Sequence, residues 1–202
     1  MCKNIAIIGA GGHCSVVVDI IKSNNYNIVG IYDDHIVESR FGYPILGKVD
    51  TIDKSIENFV IAIGDDDIRE KIYRKYPELN WCTLIHPSCV IAQNCVIGQG
   101  TIICAGSILQ PYVKIGKQCI INTNSTIDLE SIVGDYCSIC PGANICGKVT
   151  IGDSCFIGAG AVIIQNINIT NRSIIGAGTI VIRNIYISSK VVGNPARIIS
   201  HH

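Results

Sequence analysis

From Ile85 onward an aliphatic residue returns at every sixth position: Ile85, Ile91, Ile97, Ile103, Leu109, Ile115 and so on to Val181, seventeen hexads that never lose phase. The fifth residue of each hexad is mostly small, as at Cys89, Thr101, Ser107, Cys119, Ser125, Ser131, Cys137, Ala143, Cys155 and Ala161. A six-residue period belongs to a parallel β-helix. Each hexad supplies one short face and one corner, three faces close a triangular coil, and coils stack through backbone hydrogen bonds. The aliphatic residue fills the interior, and the fifth residue must be small to fit beside it. Glycine recurs at the second position (Gly98, Gly116, Gly134, Gly152, Gly158, Gly176), where a corner with positive φ is expected.

The first part of the chain follows a different pattern. "NIAIIG" reads as a buried strand, "HCSVVVDIIKS" as a helix, "NIVGIYDD" and "FVIAIGD" as further strands, and "DDIREKIYRKYP" as a second helix with Ile68, Ile72 and Tyr76 at helical spacing. Strands alternating with helices predict a small parallel α/β sheet. The expected organisation is an α/β domain over residues 1–84 and a β-helix domain over 85–202, whose tail "VVGNPARIISHH" leaves the repeat. No function is assigned to His201 and His202.

Charge narrows the field. The 202 residues hold sixteen basic and sixteen acidic side chains, which speaks against nucleic acid or a membrane surface as partner. Residues 85–202 carry seven Lys/Arg against four Asp/Glu, a mild excess that suits a polyanionic small ligand. No apolar stretch is long enough to span a bilayer, and the N-terminus reads as a strand, not a secretory leader. Eleven cysteines, an odd number, fit reduced thiols in a cytoplasmic protein better than a disulfide framework. Five of them sit at the small inward position, where a free thiol acts as a small hydrophobe. The C-S-I-C of Cys137 and Cys140 has no second pair or histidine, so no metal is expected.

The glycine cluster "IIGAGGHCS" follows a strand and opens a helix, where backbone amides can meet a phosphate. Cys14 stands where a dinucleotide fingerprint has its third glycine, so the match to a full Rossmann motif is incomplete. Asp33 and Asp34 end the second strand, and Gly64 and Asp65 end another at the same edge. These features point to a nucleotide site, against the plainer reading of structural turns with solvated acids.

An N-terminal "GAGGH" domain, then "AIGD", then "LIHPSCVI" leading into hexapeptide coils, then "VVGNPAR", resembles the NeuD/PglD-type sugar acetyltransferases over essentially the whole chain. The resemblance implies a small Rossmann-like parallel sheet followed by a left-handed β-helix. It further implies a homotrimer, acetyl-coenzyme A as co-substrate and a nucleotide-linked amino sugar as acceptor. By the same resemblance the nucleotide sugar meets Gly9, Ala10, Gly11, Gly12, His13, Asp33, Asp34, Ile63 and Gly64. Coenzyme A meets Asn122, Ser138, Gly147, Ala159, Ala177, Lys190 and Pro195, and the reaction centre lies between subunits.

The family carries His-Glu, its general base and the carboxylate that orients it, where this chain has Leu129-Glu130; the family's second histidine corresponds to Ser138. Leu129 is the one large apolar residue at the third hexad position, so packing against a neighbouring subunit or a ligand is expected there. Without a base, worth about 10²–10⁴-fold, a hydroxyl acceptor suffers fully, whereas a sugar amine is already nucleophilic. The expected activity is therefore N-acetylation, and the resemblance implies as its target the 4-amino group of a UDP-, dTDP- or GDP-linked 4-amino-4,6-dideoxy sugar. Glu130, Asp128 and His13 are the candidate catalytic groups. A sialic-acid-type O-acetyltransferase and a non-catalytic nucleotide-sugar-binding paralogue are the alternatives. His86 and His35 read as structural, and the coils lack the three histidines of a zinc hydratase.

Overall fold

The computed structural model describes residues 3–35 and 38–201; Met1, Cys2 and His202 lie outside them. The first domain is a parallel sheet of β1 (Asn4–Ile8), β2 (Asn27–Tyr32), β3 (Ile45–Gly47) and β4 (Asn58–Ile61), in the order β3-β2-β1-β4. Its helices are α1 (Gly12–Ser23) and α2 (Asp66–Lys75). Alternation along β1 sorts its side chains: Ile5 and Ile7 join the core under α1, whereas Ala6 and Ile8 join Phe59, Ile61, Ile72 and Trp81 on the α2 side. Asp65 caps α2 by accepting from the Ile68 amide at 2.9 Å; acids in the first turn and Arg74 and Lys75 in the last complement the helix dipole. The buried face of α2 differs from expectation. Ile68 is exposed, and the inward residues are Arg69 and Ile72, with Tyr76 at the C-cap.

From Leu84 the chain winds into two-residue strands that pair in parallel with strands eighteen residues on, building three sheets. The first face stacks Ile103, Ile121, Ile139, Ile157 and Ile175; the second stacks Leu109, Ile127, Ile145, Ile163 and Val181; the third stacks Ile115, Val133, Ile151 and Ile169. All of these are buried, so the hexad aliphatics are the core. The tail returns as Ser189–Val192, which extends the first face, and hairpins onto Arg197–His201. Among the described residues no helix is long and apolar enough to cross a membrane.

Several of the small fifth-position residues also hydrogen-bond. Thr101 Oγ1 donates to Gly116 O at 2.8 Å, Ser107 to Asn122 O at 2.9 Å and Ser131 to Cys146 O at 2.9 Å. The Cys119, Cys137 and Cys155 thiols donate to Gly134, Gly152 and Thr170 carbonyls at 3.0–3.1 Å. Each bond satisfies a corner carbonyl of the next coil from inside. Burial holds the Cys137 thiol well above its ordinary pKa, as befits a structural thiol.

The corner glycines need correction. Positive φ falls at the fourth hexad position, on Gly100, Gly106, Gly142, Gly160 and Gly178 and on Asn94, Asn124, Glu130, Lys148 and Arg172. The second-position glycines are required by close stacking: a Cβ on Gly98 would lie 2.4 Å from the Gly116 carbonyl carbon. The α/β domain sits on the first face, burying the outward side chains of Leu84, Ile102, Ile120 and Ser138. Arg69 fastens it there. Its Nε donates to Gln118 O (3.0 Å), Nη1 to Ile63 O and Gly64 O (3.1 and 2.8 Å), and Nη2 to Tyr136 O and Ser138 Oγ (2.9 and 3.2 Å).

Candidate functional site

At the carboxyl edge of the small sheet, Gly9, Gly11, Gly12, His13, Asp33, Asp34, Ile63 and Gly64 line one cleft of about 360 Å³. Of the expected nucleotide residues, only Ala10 stands behind it, buried. Gly9 has φ +100°, and a Cβ there would meet Ile63 Cγ1 at 2.5 Å, so no other residue fits the turn. Gly11 caps α1 without a side-chain bond, and the first turn of α1 holds no acid. The positive end of the helix is thus left for an anion. Asp33 and Asp34 serve the backbone: Asp33 Oδ2 accepts from Ala10 N at 2.7 Å and Oδ1 from His35 N at 2.9 Å, while Asp34 Oδ1 accepts from Val49 N at 2.9 Å. They brace the cleft as well as lining it.

His13 opens α1 at this cleft. Burial, and secondarily the Arg69 guanidinium, push its pKa down to about 4, and its Nε2 is buried without a protein partner. The imidazole is therefore neutral near pH 7. Linkage fixes a sign. The unfolded chain takes up a proton near pH 6.5 that the folded chain refuses until about 4. The His13 contribution to stability is complete above about pH 6.5 and is lost as pH falls to about 4, an effect on the order of 3 kcal/mol. Unfolding free energies measured across that window should fall more steeply for the natural protein than for His13→Gln; parallel slopes would contradict the assignment.

The second region is the corner between the second and third faces. Asp128 Oδ1 accepts from Leu129 N at 2.8 Å. Leu129 remains two-fifths exposed and lies over Gly147 of the next coil, where an added Cβ would come within 3.2 Å of its Cδ2. Glu130 takes a left-handed conformation and pairs with Lys148 at 3.8 Å. Two clefts flank this corner. One, about 280 Å³, includes Gln110, Thr126 and Asn144; the other, about 370 Å³, includes Leu129, Gly147, Lys148 and Gln165; both are bordered by Asp128 and Cys146.

The expected coenzyme A residues scatter. Gly147 borders the second of these clefts. Asn122, Ala159 and Ala177 stand at a different corner, between the first and second faces, with the Asn122 side chain accepting from Thr123 N at 2.8 Å. Lys190 is exposed on the tail strand, and Pro195 borders a cavity of about 470 Å³ at the C-terminal end. Ser138 differs from expectation: it is buried on the first face beneath Arg69, leaving no surface for coenzyme A. His86 is held in a turn with Ser88, 2.7 Å from its hydroxyl. Arg69 was missed by sequence reasoning, though its spacing with Ile72 and Tyr76 put it on the inward face of α2.

The corner of Leu129 is the vertex opposite the first face. Since the α/β domain covers the first face, His13 and the Asp128–Glu130 corner of one chain lie on opposite sides of the solenoid.

Family models match in two places: the PglD N-terminal domain over residues 4–76 and the bacterial transferase hexapeptide over residues 130–165. The acetyltransferase domain of PglB from Neisseria gonorrhoeae, solved with acetyl coenzyme A, is 28% identical with a TM-score of 0.93, covering 98% of this chain and 100% of that one. PerB from Caulobacter crescentus, solved with CoA and GDP-perosamine, is 29% identical with a TM-score of 0.93, covering 99% of each chain. The match extends to the left-handed β-helix of this group. An uncharacterised protein of Acanthamoeba polyphaga mimivirus is 32% identical over 129 residues, 63% of this chain but 23% of that protein. The chain thus spans less than a quarter of that relative's length.

Proposed function

Because the chain belongs to the NeuD/PglD family of hexapeptide-repeat sugar acetyltransferases, we propose that it moves an acetyl group from acetyl-coenzyme A to the 4-amino group of a nucleotide-linked 4-amino-4,6-dideoxy sugar. The observation that carries this reading is the pairing of an anion-ready cleft at α1 with a solenoid corner flanked by two further clefts. The cleft takes the nucleotide sugar, its phosphates at Gly11 and Gly12 and the neutral His13 facing the sugar. Small residues suit the thioester's pantetheine arm: Gly147 at the Leu129 corner, Ala159 and Ala177 at the neighbouring one.

The two halves face away from each other in one chain, so a second copy must complete the centre. A homotrimer supports this arrangement, with one subunit's nucleotide cleft turned toward its neighbour's Leu129 corner. Asn122, Lys190 and Pro195 remain candidate contacts to coenzyme A in that assembly, and Ser138 does not. A cytoplasmic setting agrees with core thiols that serve as hydrogen-bond donors to backbone carbonyls.

The leucine favours nitrogen as the nucleophile. Once neutral, the amine attacks the thioester carbonyl, backbone amides stabilise the oxyanion, and coenzyme A departs as the thiol. Proximity supplies much of the acceleration. Crystals of the Caulobacter enzyme with a histidine replaced by asparagine or alanine still hold CoA and GDP-perosamine, which shows that both ligands can bind there without that imidazole.

Acetyl-coenzyme A incubated with GDP-, UDP- and dTDP-linked 4-amino-4,6-dideoxy sugars should yield an acetylated sugar and free coenzyme A by mass spectrometry. Leu129→His should change kcat by less than about tenfold; a gain above a hundredfold would mark the leucine as damage to a base-dependent enzyme. Acetylation of sialic acid but of no amine would favour the O-acetyltransferase. Binding of a sugar nucleotide with no turnover would leave a non-catalytic paralogue.

A further inference from the structure

With no imidazole at the corner, the proton lost by the attacking amine needs another acceptor, and two carboxylates flank Leu129. Their surroundings differ. Glu130 is turned aside by its left-handed backbone (φ 56°), reaches toward Lys148 at 3.8 Å, and borders neither of the two clefts. Asp128 borders both clefts. It is also held in place: its Oδ1 accepts from Leu129 N at 2.8 Å, and its own amide donates to Ile145 O at 2.9 Å in the sheet. No hydrogen bond to its Oδ2 is formed among the described residues. The same clefts are lined by the neutral polar side chains of Gln110, Thr126, Asn144, Gln165 and Asn166 and by two titratable ones, the Cys146 thiol and Lys148, none of which is a hydrogen-bond partner of the Asp128 side chain.

We infer that Asp128 is the proton acceptor of the acetyl transfer, with Leu129 excluding water beside it and Glu130 serving Lys148. This deepens the acetyltransferase reading and rests on it. A ligand in each cleft would have the same carboxylate between them, the position a group must hold to serve an amine on one side and a thioester on the other. The nitrogen lone pair forms the C–N bond to the acetyl carbon, and the C–S bond breaks with its electron pair on sulfur. The nitrogen's proton passes to Asp128 Oδ2 and from there to the departing thiolate. The carboxylate is regenerated at each turnover, and no other reactant is consumed.

Asp128→Asn is the test, since the amide oxygen keeps the bond to Leu129 N and removes only the basic function. The assay uses acetyl-coenzyme A with GDP-perosamine, or with whichever sugar of the panel above the natural protein acetylates fastest. At pH 7 kcat should fall at least tenfold, and about a hundredfold or more for a fully used base. The KM for acetyl-coenzyme A should stay within about threefold. The deficit should shrink toward pH 9, where solvent base takes the proton from the positively charged nitrogen of the tetrahedral adduct without help. A loss smaller than tenfold, or one of equal size at every pH, overturns the assignment. If the natural protein itself acetylates no amino sugar, the acetyltransferase reading fails instead, so the two failures are distinguishable.

Discussion

Arg69→Ala should cost at least about 3 kcal/mol of folding free energy and uncouple the two domains. The guanidinium is fully buried and faces five acceptors, four of them backbone carbonyls, with no carboxylate among them. Burial lowers its pKa, an effect partly offset by Cys119 and Asp66. Removing it strands several buried acceptors, each at about 1–3 kcal/mol. Lysine should recover less than half of the loss, because a compact ammonium with three donors cannot reach acceptors arranged for a planar fork of five. Denaturant unfolding can be followed by Trp81 fluorescence, which reports the α/β core, and by far-ultraviolet circular dichroism, which the solenoid dominates. The two curves should coincide in the natural protein and separate in the variant. A single transition within 1 kcal/mol of the natural protein would contradict the proposed role.

The second large effect concerns corner glycines. Gly98→Ala would place a methyl 2.4 Å from Gly116 C and 2.5 Å from Gly116 O and Lys117 N. All three are backbone, and Gly98 N is itself bonded to Ile115 O at 2.9 Å, so relief requires parting two coils. A loss of at least about 3 kcal/mol is expected, at or beyond the upper end of ordinary overpacking. Gly160→Ala supplies the contrast. Its φ is +64°, yet nothing lies within 4 Å of the added atom, and Lys148 and Arg172 already adopt this conformation at equivalent corners. About 1–2 kcal/mol is expected there. Soluble yield and thermal midpoint should rank Gly98→Ala far below Gly160→Ala; the reverse ranking would mean that backbone conformation, not stacking, governs these corners.

The hexad rule revealed the solenoid because its cause is local: an aliphatic residue at each face has one place to go. What stayed hidden depends on residues fifteen or eighteen apart. Cys119 reads as a small apolar filler until the Gly134 carbonyl of the next coil is seen beside its thiol. Gly98 reads as a positive-φ corner until Gly116 is stacked upon it. The short strand Ile45–Gly47 carries too little pattern to announce itself, since it is a three-residue edge. Arg69 escaped because a charged residue on a helix face is ordinarily solvated, and three of its five acceptors come from the other domain. In the candidate site the glycine loop was legible almost residue by residue. The coenzyme A residues were less so, because a resemblance carries positions but not the surface they end on. Ser138 is the clearest case, lying under a guanidinium.

The buried guanidinium also orders events at the ribosome. Arg69 is made 49 residues before the Gln118 carbonyl and 69 before the Ser138 hydroxyl. Until those positions emerge, the α/β domain has a cation with acceptors only in its own Ile63–Gly64 loop, and that loop edges the cleft at α1. Completion of the cleft at α1 therefore waits on translation of the Gln118–Ser138 stretch, and a nascent chain halted earlier lacks three of the five acceptors that hold Arg69 against that cleft's edge.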